Sequence, residues 1–335
     1  MSQSVAQPQN SSSTSNSLLK KIFKTREIGV FVFFMLLCVM MSFLSEYFLR
    51  TQNVFNVLRS ASTIGIMAIG MTMVIVTAGI DLSIGSIMAV SAMLTARLIT
   101  ESGINPWLAF LLGVGLGSLL GFVNGQVITR FKVNPFITTL GMMSVGRGLT
   151  YVLASGLKGT VASNIPLKDP GVAFLGAGYI GPVPFPVIEM VIFVVLFTLF
   201  LNHTVLGRQI YAIGSNEAAA RLSGVNVNWV KVFVYTLTGF FGAYGGIMNA
   251  GLLSTAMTNT GVGVELDVIA AVVLGGASLA GGEGSILGAV IGAAMMAVIR
   301  NAFVLLKLPQ SAQTIVIGVV IVLAVALDQL RKRRS

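Results

Sequence analysis

Charge is what this sequence has least of. Asp, Glu, Lys and Arg make up 10% of its 335 residues, against about 25% in a typical soluble domain. With 55% hydrophobic residues and a mean hydropathy of +0.90, the chain lacks the polar surface of a soluble enzyme, and that class is excluded. Disorder is excluded too beyond the first residues, because disordered chains are poor in apolar side chains. The one cysteine, Cys38, permits no internal disulfide. It follows Leu36-Leu37 inside an apolar run, where a lipoprotein anchor would need a small residue. The one histidine, His203, lacks the partners for a metal site or a catalytic triad. No G-x-x-x-x-G-K-[ST] string occurs; Gly156-Leu-Lys-Gly-Thr160 comes nearest and lacks the Gly-Lys-Ser/Thr end. Nor do Asp, Glu and His form the relay of a proton-coupled carrier. Energy for any work must come from a partner.

What is present is glycine and long apolar runs. Glycine numbers 38, roughly 11% against about 7% on average. Residues 1–17 are rich in Ser, Gln and Asn and read as disordered, within an expected cytoplasmic N-terminus over 1–27. Lys20, Lys21, Lys24 and Arg26 precede an apolar run over 28–49. That run is too long for a signal-peptide core and no small-residue cleavage site follows, so it reads as a first span. Further spans are predicted over 61–78, 84–99, 107–128, 136–154, 187–201, 229–253, 266–280, 285–306 and 312–327. At 1.5 Å per residue several just cross about 30 Å of hydrocarbon, and a few are short. The short ones border Gly-Gly or Gly-Ile-Asp breaks, as broken spans inside a bundle do. The expected fold is an all-α membrane protein of about ten transmembrane helices, with a permease domain over 28–328 and a basic tail over 329–335.

The net charge of +10 does not signal nucleic acid, because the cations flank apolar runs as the positive-inside rule expects. Ten crossings put both termini on one side. That side then carries thirteen cations, at 20–26, Arg130, Lys132, Arg208, Arg221, Lys231 and 331–334. The other carries five: Arg50, Arg59, Lys158, Lys168 and Lys307. Arg97, Arg147 and Arg300 fall within spans or near their ends. The bias predicts both termini in the cytoplasm.

Two connections are long. The outer one, 156–186, holds five of the nine prolines and the string Gly176-Ala-Gly-Tyr-Ile-Gly181. The string has the letters of G-x-G-x-x-G, but Pro182, Pro184 and Pro186 follow where a nucleotide-binding helix would begin, so the match is accidental. The inner one, 205–228, is polar. Within it Ser215 or Asn216 can cap a helix, Glu217 favours its N-terminus, Ala218–Leu222 are strong helix formers, and Gly224 stops it. A short capped helix between two spans suits a docking knob for another protein, or it is an idle loop helix.

Gly113, Gly117, Gly121 and Gly125 recur every fourth residue, and Gly288 and Gly292 repeat the spacing. Such a face lets helix backbones approach closely; a pathway role would need polar neighbours, and only Asn124 and Gln126 are near. Asp81 is either a functional group inside the membrane or the cap of the helix from 84, assisted by Ser83. Arg147 lines a cavity, pairs with Asp81 or snorkels. Gly79–Met88 and Gly281–Leu287 share a polar glycine break followed by Gly-Ser-Ile, the kind of internal echo found in transporter folds.

At these residues the chain resembles the bacterial ribose-type ABC sugar importer permeases. The resemblance rests on Gly79-Ile-Asp-Leu-Ser-Ile-Gly-Ser86, Asn134-Pro-Phe-Ile-Thr-Thr-Leu-Gly141, Ala212-Ile-Gly-Ser-Asn-Glu-Ala-Ala-Ala-Arg-Leu-Ser-Gly224 and Val273-Leu-Gly-Gly-Ala-Ser-Leu-Ala-Gly-Gly-Glu-Gly-Ser285. It implies a multi-pass subunit of the bacterial inner membrane that pairs with a second permease copy, receives sugar from a periplasmic binding protein, and couples to a cytoplasmic ATPase. That ATPase, not this chain, would hold ATP and Mg. The segment Gly214, Ser215, Asn216, Glu217, Ala218, Ala219, Arg221, Leu222, Ser223 and Gly224 corresponds to the coupling helix; the glycine is placed differently from that of the generic importer loop. Candidates for the pathway are Asp81, Ser83, Asn124, Asn134, Phe136, Thr138, Arg147 and Asn249. The five outer cations are candidates for receiving an acidic rim on the binding protein. A permease for a non-sugar solute and an autonomous channel or secondary carrier are the rival readings; a membrane enzyme lacks an acid–base constellation.

With Cys38 replaced, a single cysteine at residue 164 is expected to react with membrane-impermeant reagents from the outer face only. Labelling from the cytoplasmic side would reverse the topology.

Overall fold

The computed structural model describes residues 26–155 and 164–332. Lys158, the segment 1–25 with Lys20, Lys21 and Lys24, and the last residues 333–335 lie outside the described residues. Those described fold as thirteen α-helices and four short strands. In chain order the helices are α1 (Arg26–Leu44), α2 (Thr51–Val76), α3 (Ile84–Thr100), α4 (Pro106–Arg130), α5 (Pro135–Ser155), α6 (Pro170–Ala177), α7 (Phe185–His203), α8 (Val205–Ser215), α9 (Glu217–Leu222), α10 (Val227–Leu253), α11 (Val264–Leu274), α12 (Ile286–Leu305) and α13 (Gln310–Lys332). Five of them, α2, α4, α7, α10 and α12, are long and apolar enough to cross a membrane. Shorter apolar helices occupy Ile28–Leu44, Ile84–Thr100 and Gln310–Leu323. The chain is an all-α, multi-pass membrane protein.

Two boundaries differ from the hydropathy reading. The apolar run over 28–49 is broken after Leu44 by a turn, and α2 starts at Thr51, well before the predicted 61. Its first turns carry Asn53, Asn56 and Arg59, polar residues that lower local hydropathy without ending the helix. The run over 266–280 contains only the 11-residue helix α11, which stops at Gly275-Gly276 with Gly276 at φ +93°. At 1.5 Å per residue α11 reaches about half-way through the hydrocarbon.

The core is built around α10, whose backbone its neighbours touch through glycine. A Cβ on Gly121 of α4 would fall on the carbonyl oxygen of Tyr235, and one on Gly239 of α10 would fall on that of Gly117. Gly246 stands in the same way against the Met88 carbonyl of α3, and Gly176 of α6 against that of Met248. The fourfold glycine face of α4 is thus a packing surface, with Gly125 against Val232 and Gly113 against Thr95. Gly288 and Gly292 of α12 do the same against Gly275 and Ala271 of α11. Lipid tails are as apolar as the side chains, so close packing and dispersion are what hold such helices together.

Polar contacts add register. Asn53 of α2 and Asn301 of α12 exchange side-chain hydrogen bonds of 3.0 and 2.7 Å. Phe193 and Phe197 of α7 meet Phe241 edge-on. Strand β1 (Asn164–Pro166) pairs antiparallel with β4 (Thr255–Met257). Strands β2 (Tyr179–Ile180) and β3 (Val183–Pro184) form a small hairpin. The string from Gly176 to Gly181 therefore ends α6 and enters this hairpin, turning at Gly181 with φ +59°. Large apolar side chains along α1, α4, α5, α7 and α13, such as Leu36, Leu111, Val152, Val195 and Leu323, are exposed and form the surface that hydrocarbon covers.

Gly239→Val forces its side chain onto the α4 backbone and is expected to cost about 1–3 kcal/mol or more, read as a lower melting temperature of the purified protein in detergent. Gly115→Val, on the same helix as Gly117 but with open space around it, is the matched control and leaves the melting temperature unchanged. Equal effects would mean that the α4–α10 contact is not tight.

Candidate functional site

The polar segment over 205–228 forms two helices and a knob. Thr204 caps α8 by accepting from the Gly207 amide at 3.0 Å. Asn216, not Ser215, caps α9 by accepting from the Ala219 amide at 3.0 Å. Gly224, at φ +82°, ends α9, with the Ser223 amide returning to Ala219 and the Val225 amide to Ala220. Glu217 accepts from Lys231 at 2.7 Å and from Arg221, one turn on, at 3.2 Å. Those donors hold the Glu217 carboxyl below the usual carboxylate range. Leu222, at the tip, is 90% exposed.

The base of this knob is wedged into the bundle. A Cβ on Gly214 would strike the Val76 carbonyl at the end of α2 and the Gly282 amide in the α11–α12 break. The Gly282 amide itself donates to the Val76 carbonyl at 2.9 Å, and the Tyr211 hydroxyl of α8 donates to the Gly284 carbonyl at 2.7 Å. The glycine breaks after Gly79 and Gly281, which look alike in sequence, thus meet in space beside the segment that carries α9. A cleft of about 600 Å³ adjoins it, lined by Lys132, Asn134, Glu217, Arg221, Asn228 and Lys231.

Asp81 lies in the break between α2 and α3, fully buried. One carboxylate oxygen accepts from the Ser83 amide at 2.8 Å and the Ser83 hydroxyl at 2.6 Å. Asn124 of α4 donates to that hydroxyl at 2.9 Å. Three residues picked out one by one in the sequence therefore form one chain of hydrogen bonds that ties α4 to the start of α3. Tyr235 of α10 closes over it, donating to the Ile80 carbonyl at 3.4 Å. Asn134 and Phe136 lie elsewhere, exposed at the start of α5, where Asn134 accepts from the Phe136 amide at 2.9 Å. Thr138 follows, donating back to the Asn134 carbonyl at 3.2 Å. Arg147 does not pair with Asp81: its guanidinium donates to the Thr260 and Thr258 carbonyls in the loop before α11.

At the end of the bundle away from α9 there is a second cleft, of about 370 Å³. Asn249 lines it from α10, Asn56, Ser60 and Thr63 from α2, Asp267 from α11 and Arg300 from α12. Asn249 lies about 22 residues beyond Val227 on α10, roughly 33 Å at 1.5 Å per residue, so the two clefts stand about one bilayer apart. Asp267 and Arg300 form an ion pair across the α11–α12 contact.

Sequence reading missed Asp267, Glu189 and Glu265 as interior ionisable groups and placed Arg300 within a span or near its end without a partner. Glu189 of α7 is buried and accepts from the Tyr244 hydroxyl at 2.6 Å. Each sits in or beside an apolar run, and that setting was the available signal. Of the five cations expected on the outer side, Arg50 stacks over Tyr47 at 4.2 Å and is exposed, as are Lys168 and Lys307. Arg59 is half-buried over the Tyr179 ring at 4.6 Å and lines the second cleft.

A sequence profile described as "Branched-chain amino acid transport system / permease component" matches residues 53–325. The ribose import permease protein RbsC of Bacillus subtilis is 42% identical over 304 residues, covering 91% of this chain and 93% of that protein. Its namesake in Escherichia coli is 42% identical over 88% of this chain and 91% of its own. The L-arabinose ABC transporter permease protein AraH of Azospirillum brasilense is 34% identical over 91% of this chain and 88% of its own. No solved structure matches the chain. With its buried glycine-packed bundle, its knob wedged against two helix breaks, and relatives that run nearly end to end with it, the chain belongs to the family of membrane permease components of transport systems.

Proposed function

We propose that this permease subunit imports a ribose-like monosaccharide by alternating access driven by a partner ATPase. The observation that carries the reading is the base of the knob: Gly214 and Tyr211 lock α8 and α9 onto both glycine breaks. A partner that moves α9 therefore moves the end of α2 and the α11–α12 turn with it. Rigid elements packed without voids shift between discrete arrangements rather than bend, which suits an all-or-none switch. The exposed Leu222 tip, with the Glu217–Arg221–Lys231 cluster behind it, is the surface for a cytoplasmic ATPase. A periplasmic sugar-binding protein delivers substrate at the opposite end, with Arg50, Lys168 and Lys307 steering its acidic rim. In this reading the chain crosses the inner membrane ten times with both termini in the cytoplasm, works with a second permease copy, and performs no chemistry itself.

The relatives named for ribose and L-arabinose favour a sugar. The wording of the family profile favours a second reading, an apolar amino acid. Uptake by the permease reconstituted with its ATPase and binding protein separates them, because ribose and leucine share no recognition chemistry. Accumulation of ribose without ATP would support an autonomous carrier instead.

Ala219→Pro removes the amide that the Asn216 cap accepts and disfavours the helical conformation of Ala218 before it, and touches no membrane span. It is expected to insert normally, yet to lose co-purification with the ATPase and sugar-stimulated ATP hydrolysis. Normal values for both would make α9 an idle loop helix. Leu222→Asp is expected to weaken the same association with α9 intact.

Glu217→Gln removes the charge that Lys231 and Arg221 hold. Because the folded carboxyl titrates below its ordinary value, the ion pairs brace α9 at neutral pH, and that support fades only as the pH falls through the depressed value. ATPase association should therefore be flat from pH 8 to about pH 6 in the parent protein. In Glu217→Gln it should be weaker throughout that range. An unaltered affinity in the variant would show that the cluster does not brace the knob.

A further inference from the structure

The cleft at the far end from α9 has a polar chemistry that the packing of the bundle does not use. Asp267, in the first turn of α11, has a side chain only 2% exposed. One of its oxygens meets Arg300; the other, Oδ1, has no hydrogen-bond partner among the described residues. Arg300 Nε is likewise buried and unpartnered. A buried ion pair kept for stability alone needs its remaining lone pairs and protons satisfied by the protein, since otherwise desolvation outweighs the attraction. Here the spare acceptor and the spare donor belong to residues that line one cleft, beside the amide of Asn249 and the hydroxyls of Ser60 and Thr63.

We infer that this cleft is a monosaccharide subsite in the translocation pathway, with the Asp267–Arg300 pair and Asn249 as its recognition groups. The inference rests on the importer reading above and goes beyond it, since that reading needs only a passage. A sugar hydroxyl both donates and accepts, so one can accept from the Arg300 guanidinium, whose side chain is 35% exposed, while a second gives its proton to the carboxylate once Asp267 turns out of the cleft wall. The pair is neutral as a unit, which suits an uncharged polyol. A cleft of about 370 Å³ falls within the range of small-ligand pockets, about 300–1,000 Å³. Half-buried apolar side chains on the same wall, Leu252 and Val264, offer surface for the C–H faces of a sugar ring.

The test uses the complete transporter, permease with ATPase and binding protein, in proteoliposomes with labelled ribose. Asp267→Asn keeps the shape of the acid and replaces its acceptor-only group by an amide. Asn249→Leu leaves the ion pair untouched and keeps the test valid if Asp267→Asn misfolds. Both variants are expected to retain ATP hydrolysis stimulated by the binding protein, while ribose moved per ATP falls about tenfold or more, the scale of one lost buried hydrogen bond. A purely structural role would lower hydrolysis and transport together. In a second measurement Thr63→Cys, combined with Cys38→Ser, is modified by a small thiol reagent, and ribose slows the modification several-fold whereas sucrose does not. An unchanged ribose-to-ATP ratio in Asn249→Leu, or no protection by ribose at residue 63, overturns the subsite and leaves the importer reading standing. Failure of the unmutated assembly to accumulate ribose overturns both.

Discussion

The backbone of α10 is touched directly by the helices around it, because glycine stands wherever they cross. Gly117 and Gly121 on α4, Gly70 on α2, Gly246 on α10 itself and Gly176 on α6 each bring a neighbour to within the reach of main-chain atoms. In hydrocarbon no water is released when helices associate, so contact distance is the main lever on stability. That constraint explains why α10 can be nearly covered along its length while remaining one uninterrupted 27-residue helix. It also fixes the relative heights of the other elements. With α10 as the post, the knob that carries α9 and the cleft that carries Asp267 are held at opposite ends of the same rigid rod.

What the sequence disclosed follows from the range of the interactions. Helix α9 itself was legible because its determinants are local: the cap at Ser215 or Asn216, the acidic Glu217 and the Gly224 stop lie within ten residues, whereas the Lys231 partner of Glu217 and the wedge at Gly214 depend on packing. The membrane class was legible because it depends only on summed hydropathy. Helix ends were less so. The start of α2 was hidden by Asn53, Asn56 and Arg59, whose polarity is tolerated because they face Asn301 and a cleft rather than lipid. The shortness of α11 was foreshadowed by Gly275-Gly276, but an apolar run continuing to 280 masked it.

The interior chemistry was legible only as separate letters. Asp81, Ser83 and Asn124 could be singled out one at a time as polar groups in apolar surroundings, yet their joining into one hydrogen-bonded chain needs α4 to lie against the start of α3. Asp267 and Arg300 are separated by a whole break and most of a helix, and the Arg147 guanidinium finds backbone carbonyls rather than a carboxylate. A carbonyl partner leaves no mark in a sequence, since every residue has one.

The Asn53–Asn301 contact has an energetic consequence. Across the seam each amide gives and receives one hydrogen bond, and the second N–H of Asn53 goes to the Phe48 carbonyl at 2.9 Å. Replacing one asparagine by leucine strands the other's polar atoms in a half-buried seam, whereas replacing both by apolar residues of similar shape removes that mismatch and leaves only the Phe48 carbonyl without its donor. Between two tolerated states, amide with amide and apolar with apolar, lies a single-step intermediate that is worse than either. A change at position 53 is therefore energetically tied to one at position 301, although they stand at nearly opposite ends of the chain.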